Sequence, residues 1–173
     1  AGSSTPQFVL EGNNPFGLNA QGQPALVDID NDGDLDAFIW ESWGSNTVFY
    51  RNTASAGASV PLFLQNTGVL LGNVGLGPVM PGFADIDGDG DLDAFVGNGT
   101  GNTFFFRNVG DASTPSFTSA LTNPFGLTGV VSNASPTLVD IDADGDLDAF
   151  IGKSDGTTAF FLNNRAPAIS SNG

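Results

Sequence analysis

Three segments of this chain are near copies of one another: DIDNDGDLDAF from Asp28, DIDGDGDLDAF from Asp85 and DIDADGDLDAF from Asp140. Each sets five aspartates into nine positions, with one residue between successive acids. Carboxylates drawn together in a tight turn repel one another and lose hydration, so such a loop folds only with a counter-charge. The charge balance says where that counter-charge belongs. Of 19 acidic residues, 15 lie in the three loops, and the other four (Glu11, Glu41, Asp111, Asp155) are matched by Arg51, Arg107, Lys153 and Arg165. The net charge of −15 is therefore local, and it points to cations bound at three fixed places rather than to a diffuse acidic surface.

The loop chemistry favours a hard divalent ion. Calcium takes six to eight oxygen ligands, and acids at loop positions 1, 3 and 5 let a tight turn aim three carboxylates inward. Those positions are Asp28, Asp30 and Asp32, then Asp85, Asp87 and Asp89, then Asp140, Asp142 and Asp144. Glycine at position 6 (Gly33, Gly90, Gly145) permits the sharp bend that follows. Position 7 (Asp34, Asp91, Asp146) is suited to offer its backbone carbonyl, and position 9 (Asp36, Asp93, Asp148) supplies the last acid, where a strand begins. Position 12 is Ile39, Val96 or Ile151, which removes the bidentate glutamate that an EF-hand requires. Magnesium fits less well, because it prefers octahedral geometry and retains several waters.

The loops are landmarks of a longer repeat. Pro6, Pro61 and Pro115 each open a P-x-F step ending at Phe8, Phe63 and Phe117, and a second proline precedes each loop at Pro24, Pro81 and Pro136. After each loop come Leu-Asp-Ala-Phe, a turn, and an aromatic strand read as closing in Asn52, Asn108 and Asn164. A Gly-Leu step recurs at Gly17, Gly75 and Gly126, where glycine suits a turn with positive φ. The units span residues 6–53, 61–110 and 115–164, and residues 165–173 read as a tail or linker. Apolar runs are short and bounded by Gly, Asn, Ser and Asp, and no segment shows a helical period. The expected fold is all-β: three four-stranded antiparallel, propeller-like blades carrying calcium loops. In chain order the strands of a unit are the P-x-F strand, those entering and leaving the loop, and the aromatic strand.

Composition removes several function classes. There is no cysteine and no histidine, so neither a disulfide framework nor a thiolate or imidazole zinc site can be built. One lysine and two glutamates, with nearly all other carboxylates committed to the loops, leave no usual nucleophile–base pair, and the expectation is a non-enzyme. Four scattered cations give nucleic-acid binding no support, and no run of eighteen apolar residues suggests a membrane span. The start at Ala1 fits a processed secreted protein and an excised fragment equally well.

The loops, with Phe16-Gly17 and Phe125-Gly126, resemble FG-GAP or VCBS-type repeats, the blades of integrin α-subunit propellers and of many secreted bacterial proteins. The resemblance covers nearly all of residues 6–164. It implies one calcium ion per loop, held by Asp28, Asp30, Asp32, Asp34 and Asp36 and by their counterparts in the other two units. It also implies an extracellular or cell-surface protein used for adhesion, scaffolding or ligand display. Three units are too few to close a ring. The first P-x-F strand has no blade of its own, and the last blade lacks its fourth strand. The expectation is that the strand near Phe8 completes the last blade of another copy, as a two-chain ring or a filament, or that the chain is part of a longer parent. The alternative is a lectin-like or adhesive module binding glycans or a cell-surface protein. Trp40 and Trp43, flanking Glu41, could form such a contact or simply pack in their hairpin. Arg51 and Arg107, with Asn163 read as their counterpart in the third unit, are expected to bridge to loop acids. Asn98 and Asn133 fit the N-glycosylation pattern, with Pro136 weakening the second.

Overall fold

The computed structural model describes residues 10, 12–18, 22–40, 47–55, 58–66, 71–75, 77, 80–111 and 113–164. The expectations resting on Pro6, Phe8, Glu11, Glu41, Trp43, Arg165 and the tail 165–173 lie outside these residues. The described residues form strands and turns without a helix. Among them, therefore, no helix is long and apolar enough to cross a membrane.

Among the described residues, eleven strands make three antiparallel sheets. The first sheet joins β1 (Pro24–Val27), β2 (Asp36–Trp40), β3 (Thr47–Asn52) and β4 (Phe63–Asn66) in that order. The second joins β5 (Met80–Ala84), β6 (Asp93–Gly97), β7 (Thr103–Phe106) and β8 (Leu121–Thr122). The third, among the described residues, joins β9 (Ser135–Val139), β10 (Asp148–Gly152) and β11 (Thr158–Phe161). Aspartate loops join the first two strands of each sheet, and the aromatic and β-branched residues after them suit the half-buried pleat. Each complete sheet therefore takes three strands from one sequence unit and its fourth from the next unit's P-x-F segment. In the second sheet Asn108 opposes Phe117 while Phe105 opposes Leu121, so three steps on one side span four on the other and the outer strand bulges.

Side chains alternate across each sheet; two core clusters lie between the sheets, and a third, of Ala37, Ile39, Val48 and Tyr50, lies on the other face of the first sheet with Leu18 and Phe63 packed against it. Phe38 and Phe49 on one face of the first sheet meet Ala94, Val96 and Phe106 of the second, with Leu71 and Val74 of the connecting segment between them. The next junction repeats this: Phe95 and Phe105 of the second sheet meet Ala149 and Ile151 of the third, with Leu127 between. Gly17, Gly75 and Gly126 have φ of 68°, 95° and 82°, as the recurring Gly-Leu step required.

Backbone contacts tie the second junction. The segment leading to β9 lies along the β6–β7 hairpin, where Ala134 N donates to Asn98 O at 3.0 Å and Val130 N to Gly101 O at 2.8 Å. The approach is close enough that a Cβ built on Gly97 would stand 2.0 Å from the carbonyl oxygen of Ala134.

Candidate metal centres

The three loops have nearly the same geometry. In each, the acids at positions 1, 3 and 5 bring one carboxylate oxygen apiece within 4.8 Å of one another: Asp28, Asp30 and Asp32; Asp85, Asp87 and Asp89; Asp140, Asp142 and Asp144. The turn that does this uses two left-handed residues. Position 6 is Gly33, Gly90 or Gly145, at φ of 91° to 95°, as the sequence indicated. Position 4 is Asn31, Gly88 or Ala143, at φ of 55°, 78° and 62°, and three different residue types there gave no common signal. Ala143 carries a Cβ into a conformation that disfavours it, so Ala143→Gly should raise the melting midpoint by about 1–3 °C, equivalent to about 0.5–1 kcal/mol.

Backbone amides brace the first acid of each loop. Gly33 N donates to Asp28 Oδ2 at 3.0 Å, Gly90 N to Asp85 Oδ2 at 3.0 Å and Gly145 N to Asp140 Oδ2 at 3.1 Å. Position 5 accepts from the amide of position 7: Asp34 N to Asp32 Oδ1, Asp91 N to Asp89 Oδ1 and Asp146 N to Asp144 Oδ1. The side chains of position 7 stand outside the triads, in keeping with a backbone role for Asp34, Asp91 and Asp146.

Position 9 has a structural task. Asp36, Asp93 and Asp148 are at most 1 % exposed, and each accepts, through Oδ1, the amide of Asn52, Asn108 or Asn163 at 2.7 Å. Asn52 Oδ1 then accepts Leu62 N at 2.9 Å, and Asn108 Oδ1 accepts Ser116 N at 2.8 Å. The acid thus fixes the end of the aromatic strand, and the asparagine fixes the entry of the fourth strand. This corrects the sequence register of the third unit. Asn163, not Asn164, is the counterpart of Asn52 and Asn108, and Leu162, not Asn163, stands where the others have Arg51 and Arg107. The doublet Asn163-Asn164 hid the shift.

That shift has an electrostatic consequence. Arg51 pairs with Asp30 and Arg107 with Asp87, so one arginine leans on the position-3 acid of each of the first two loops. Leu162 offers the third loop no such cation. Burial pushes the Asp30 carboxyl upward, opposed by Arg51. Asp142, the third-loop counterpart, is also raised, by desolvation and then by the neighbouring Asp144.

The donor set fits a hard cation. Asp30 Oδ1, Asp87 Oδ1 and Asp140 Oδ1 in the triads, and Asp36 Oδ2 and Asp93 Oδ2 at position 9, are buried and receive no hydrogen bond. An ionised carboxylate oxygen in that setting needs a proton or a cation. Burial pushes the Asp36 and Asp93 carboxyls up to about 6, although the amides of Asn52 and Asn108 oppose the shift. Asp93→Asn therefore has opposite effects in two conditions. In chelator at pH 7.5 it removes a buried ionised group and stabilises the fold by about 1–3 kcal/mol, while with saturating divalent cation it loses an oxygen donor and destabilises. Melting curves of the variant and parent with and without cation check the reversal.

The other candidate residues are placed as follows. Trp40 is half-buried against the first junction, which is the packing role. Asn98 is 2 % exposed, donates through Nδ2 to Val74 O and accepts from Thr100 and Asn102 through Oδ1. A side chain so enclosed does not suit a glycan, and this corrects its reading as an acceptor. Asn133 is exposed.

Two overlapping stretches, residues 28–96 and 85–151, match the family model described as FG-GAP-like repeat. No curated protein matches the chain. Such repeats make propeller-like structural or binding modules, typically in extracellular proteins. Both matches begin at the first acid of a loop and run into the strand leaving the next one, so they cover the three loops and the two junctions between them, and the chain belongs to the FG-GAP-like repeat family.

Proposed function

We propose that this protein is a calcium-stabilised extracellular scaffold whose copies join by strand addition, the P-x-F segment of one chain completing the last blade of another. Calcium is the ion best suited to the loops. The three sites offer oxygen donors alone, and a flexible turn with several carboxylates suits its high coordination number better than the octahedron of magnesium. Asp28, Asp30 and Asp32 and their counterparts would hold the ion, joined by the second oxygen of Asp36 or Asp93.

One observation carries the strand addition. Beside β11 lies a cavity of about 550 Å³, whose walls include Ile86, Phe95, Leu138, Leu147, Ala149 and Phe161. Counted from the first acid of each loop, these are the counterparts of Ile29, Phe38, Phe83, Leu92, Ala94 and Phe106, all packed in the first junction. There the same space also receives Phe117, from the P-x-F segment that completes the second blade. In the third blade, no described residue takes the place of that phenylalanine. Nor does any take the place of Leu62 N and Ser116 N, which bond to Asn52 and Asn108. Pro6-Gln7-Phe8 has the sequence to supply both, with Phe8 filling the cavity and Gln7 N reaching Asn163. The lectin-like alternative has less behind it, because Trp40 is packed.

The test is the mass of the full chain in calcium, by sedimentation velocity, beside a chain lacking residues 1–12. The expected result is an oligomer for the full chain and a folded monomer for the shortened one. A full chain that sediments as a monomer at 100 μM, or a shortened chain that associates as before, overturns the proposal.

A further inference from the structure

Beyond the strand edge, the two ends of the array carry a second pair of matching surfaces. In the first junction Ile29 is 2 % exposed and Phe38 stacks on Phe83 with ring centroids 4.6 Å apart; Val27 and Leu92 pack beside them. In the second junction the same positions are Ile86, Phe95 and Leu138, packed together again. Each junction thus combines a trailing face, carrying the isoleucine after the first acid and a phenylalanine pair, with a leading face, carrying the apolar residue two before that acid.

Among the described residues, the last sheet presents a trailing face and the first sheet a leading face. On the third blade Ile141, the counterpart of Ile29 and Ile86, is 57 % exposed. Phe150 and Phe160 stack at 4.7 Å and 31°, nearly the 4.7 Å and 30° of Phe38 and Phe49, yet Phe160 is 49 % exposed and Val139 beside them is also exposed. On the first blade Leu26, the counterpart of Phe83 and Leu138, is 54 % exposed, and Leu35, the counterpart of Leu92 and Leu147, is 52 % exposed. Repeat arrays that end as monomers cap such faces with polar residues; among the described residues Leu26 and Leu35 at one end and Ile141 and Phe160 at the other stay exposed, while Ala37, Ile39, Val48 and Tyr50 of the first sheet are covered, with Leu18 and Phe63 packed against them.

We infer that the leading face around Leu26 and Leu35 docks on the trailing face around Ile141, Phe150 and Phe160 of a second copy, so that the joint between chains is a third instance of the joint inside the chain. The occupant follows from the chain itself: the same two faces already meet twice, in one order and with the same residue positions. The contact is heterologous, one end meeting the other, so it builds either a ring, of two chains or more, or a filament. It deepens the scaffold reading given above, which concerned the strand edge alone, and it names the surfaces that stack once strands are shared.

The chain has no cysteine, so single cysteines report the contact cleanly. Leu26 would meet Phe150 as Phe83 meets Phe38. A chain carrying Leu26→Cys, mixed with one carrying Phe150→Cys in calcium and mildly oxidised, should give a disulfide-linked pair in at least tenfold excess over either chain alone. Ile141→Glu and Leu26→Glu change exposed residues and should leave the melting curve near that of the parent while weakening association by about tenfold or more. Association that persists unchanged in both glutamate variants, with no excess of the mixed disulfide, overturns the face contact even if removal of residues 1–12 abolishes assembly; the strand reading then stands alone. Loss of association in the glutamate variants but not on removal of residues 1–12 supports the face contact and overturns the strand reading. A parent chain that stays monomeric in calcium overturns both.

Discussion

Chelation of calcium should lower the melting midpoint of this protein by roughly 8–16 °C at pH 7.5. Each of three loops gathers three carboxylates within 4.8 Å and leaves buried oxygens without a donor. With a dissociation constant near ~0.1 mM, ~1 mM calcium stabilises the fold by about 1.4 kcal/mol per site, about 4 kcal/mol for three, which in a chain of this size is roughly 8–16 °C. The pH dependence of the metal-free protein follows from Asp36 and Asp93. Their folded pKa is raised to about 6, above the 3.8 of a free aspartate, so the fold favours their protonated forms. The stability they contribute is complete below about pH 3.8 and is lost as pH rises through 6. In chelator, stability should therefore rise from pH 7.5 to pH 5, and the midpoint difference caused by chelation should shrink over the same range. Calorimetry at the two pH values with calcium or excess chelator measures both effects; coincident curves at pH 7.5 would rule out a structural ion.

Replacing Gly97 by alanine should be nearly as damaging, and for a wholly different reason. The added methyl would stand 2.0 Å from the carbonyl oxygen of Ala134 and 2.8 Å from Pro136 Cδ, and neither is the free end of a flexible side chain. The segment before β9 must move off the β6–β7 hairpin, weakening the bonds from Ala134 and Val130 that hold the second and third sheets together. The expected cost is about 3 kcal/mol or more, a fall of roughly 6–12 °C. Gly152, the counterpart of Gly97 in the third sheet, is the control. A Cβ there meets Ser135 Cβ at 3.5 Å, an ordinary contact, and Gly152→Ala should change the midpoint by no more than about 3 °C. Equal falls for the two variants would show that strand propensity, and not the junction, sets the cost.

These two predictions differ in how far the sequence foretold them. The acid loops, their glycine at position 6 and the Gly-Leu turns were legible because each depends on residue types with one physical use: carboxylates for a cation, glycine for positive φ. That the last blade has three strands among the described residues matches the order of strands along the repeat. The double duty of position 9 was not legible. Asp36, Asp93 and Asp148 looked like further ligands, and only their burial against the aromatic strands reveals that one oxygen of each is spent on a backbone amide. The register of the third unit failed for a local reason, since a doubled asparagine reads the same one step either way. The loss of a cation at Leu162 was hidden by that same step. The close approach at Gly97 depends on a contact between residues far apart in the chain, and no local pattern announces it.

Two of the three core clusters lie between neighbouring sheets, so most of the interior belongs to pairs of sheets and not to single ones. Three sheets share two junctions, and duplication of one unit would add a sheet and a junction together without disturbing those already made. Length in such a molecule is thus a free variable: a gene could lengthen or shorten it by whole units, and each product would inherit the same joints.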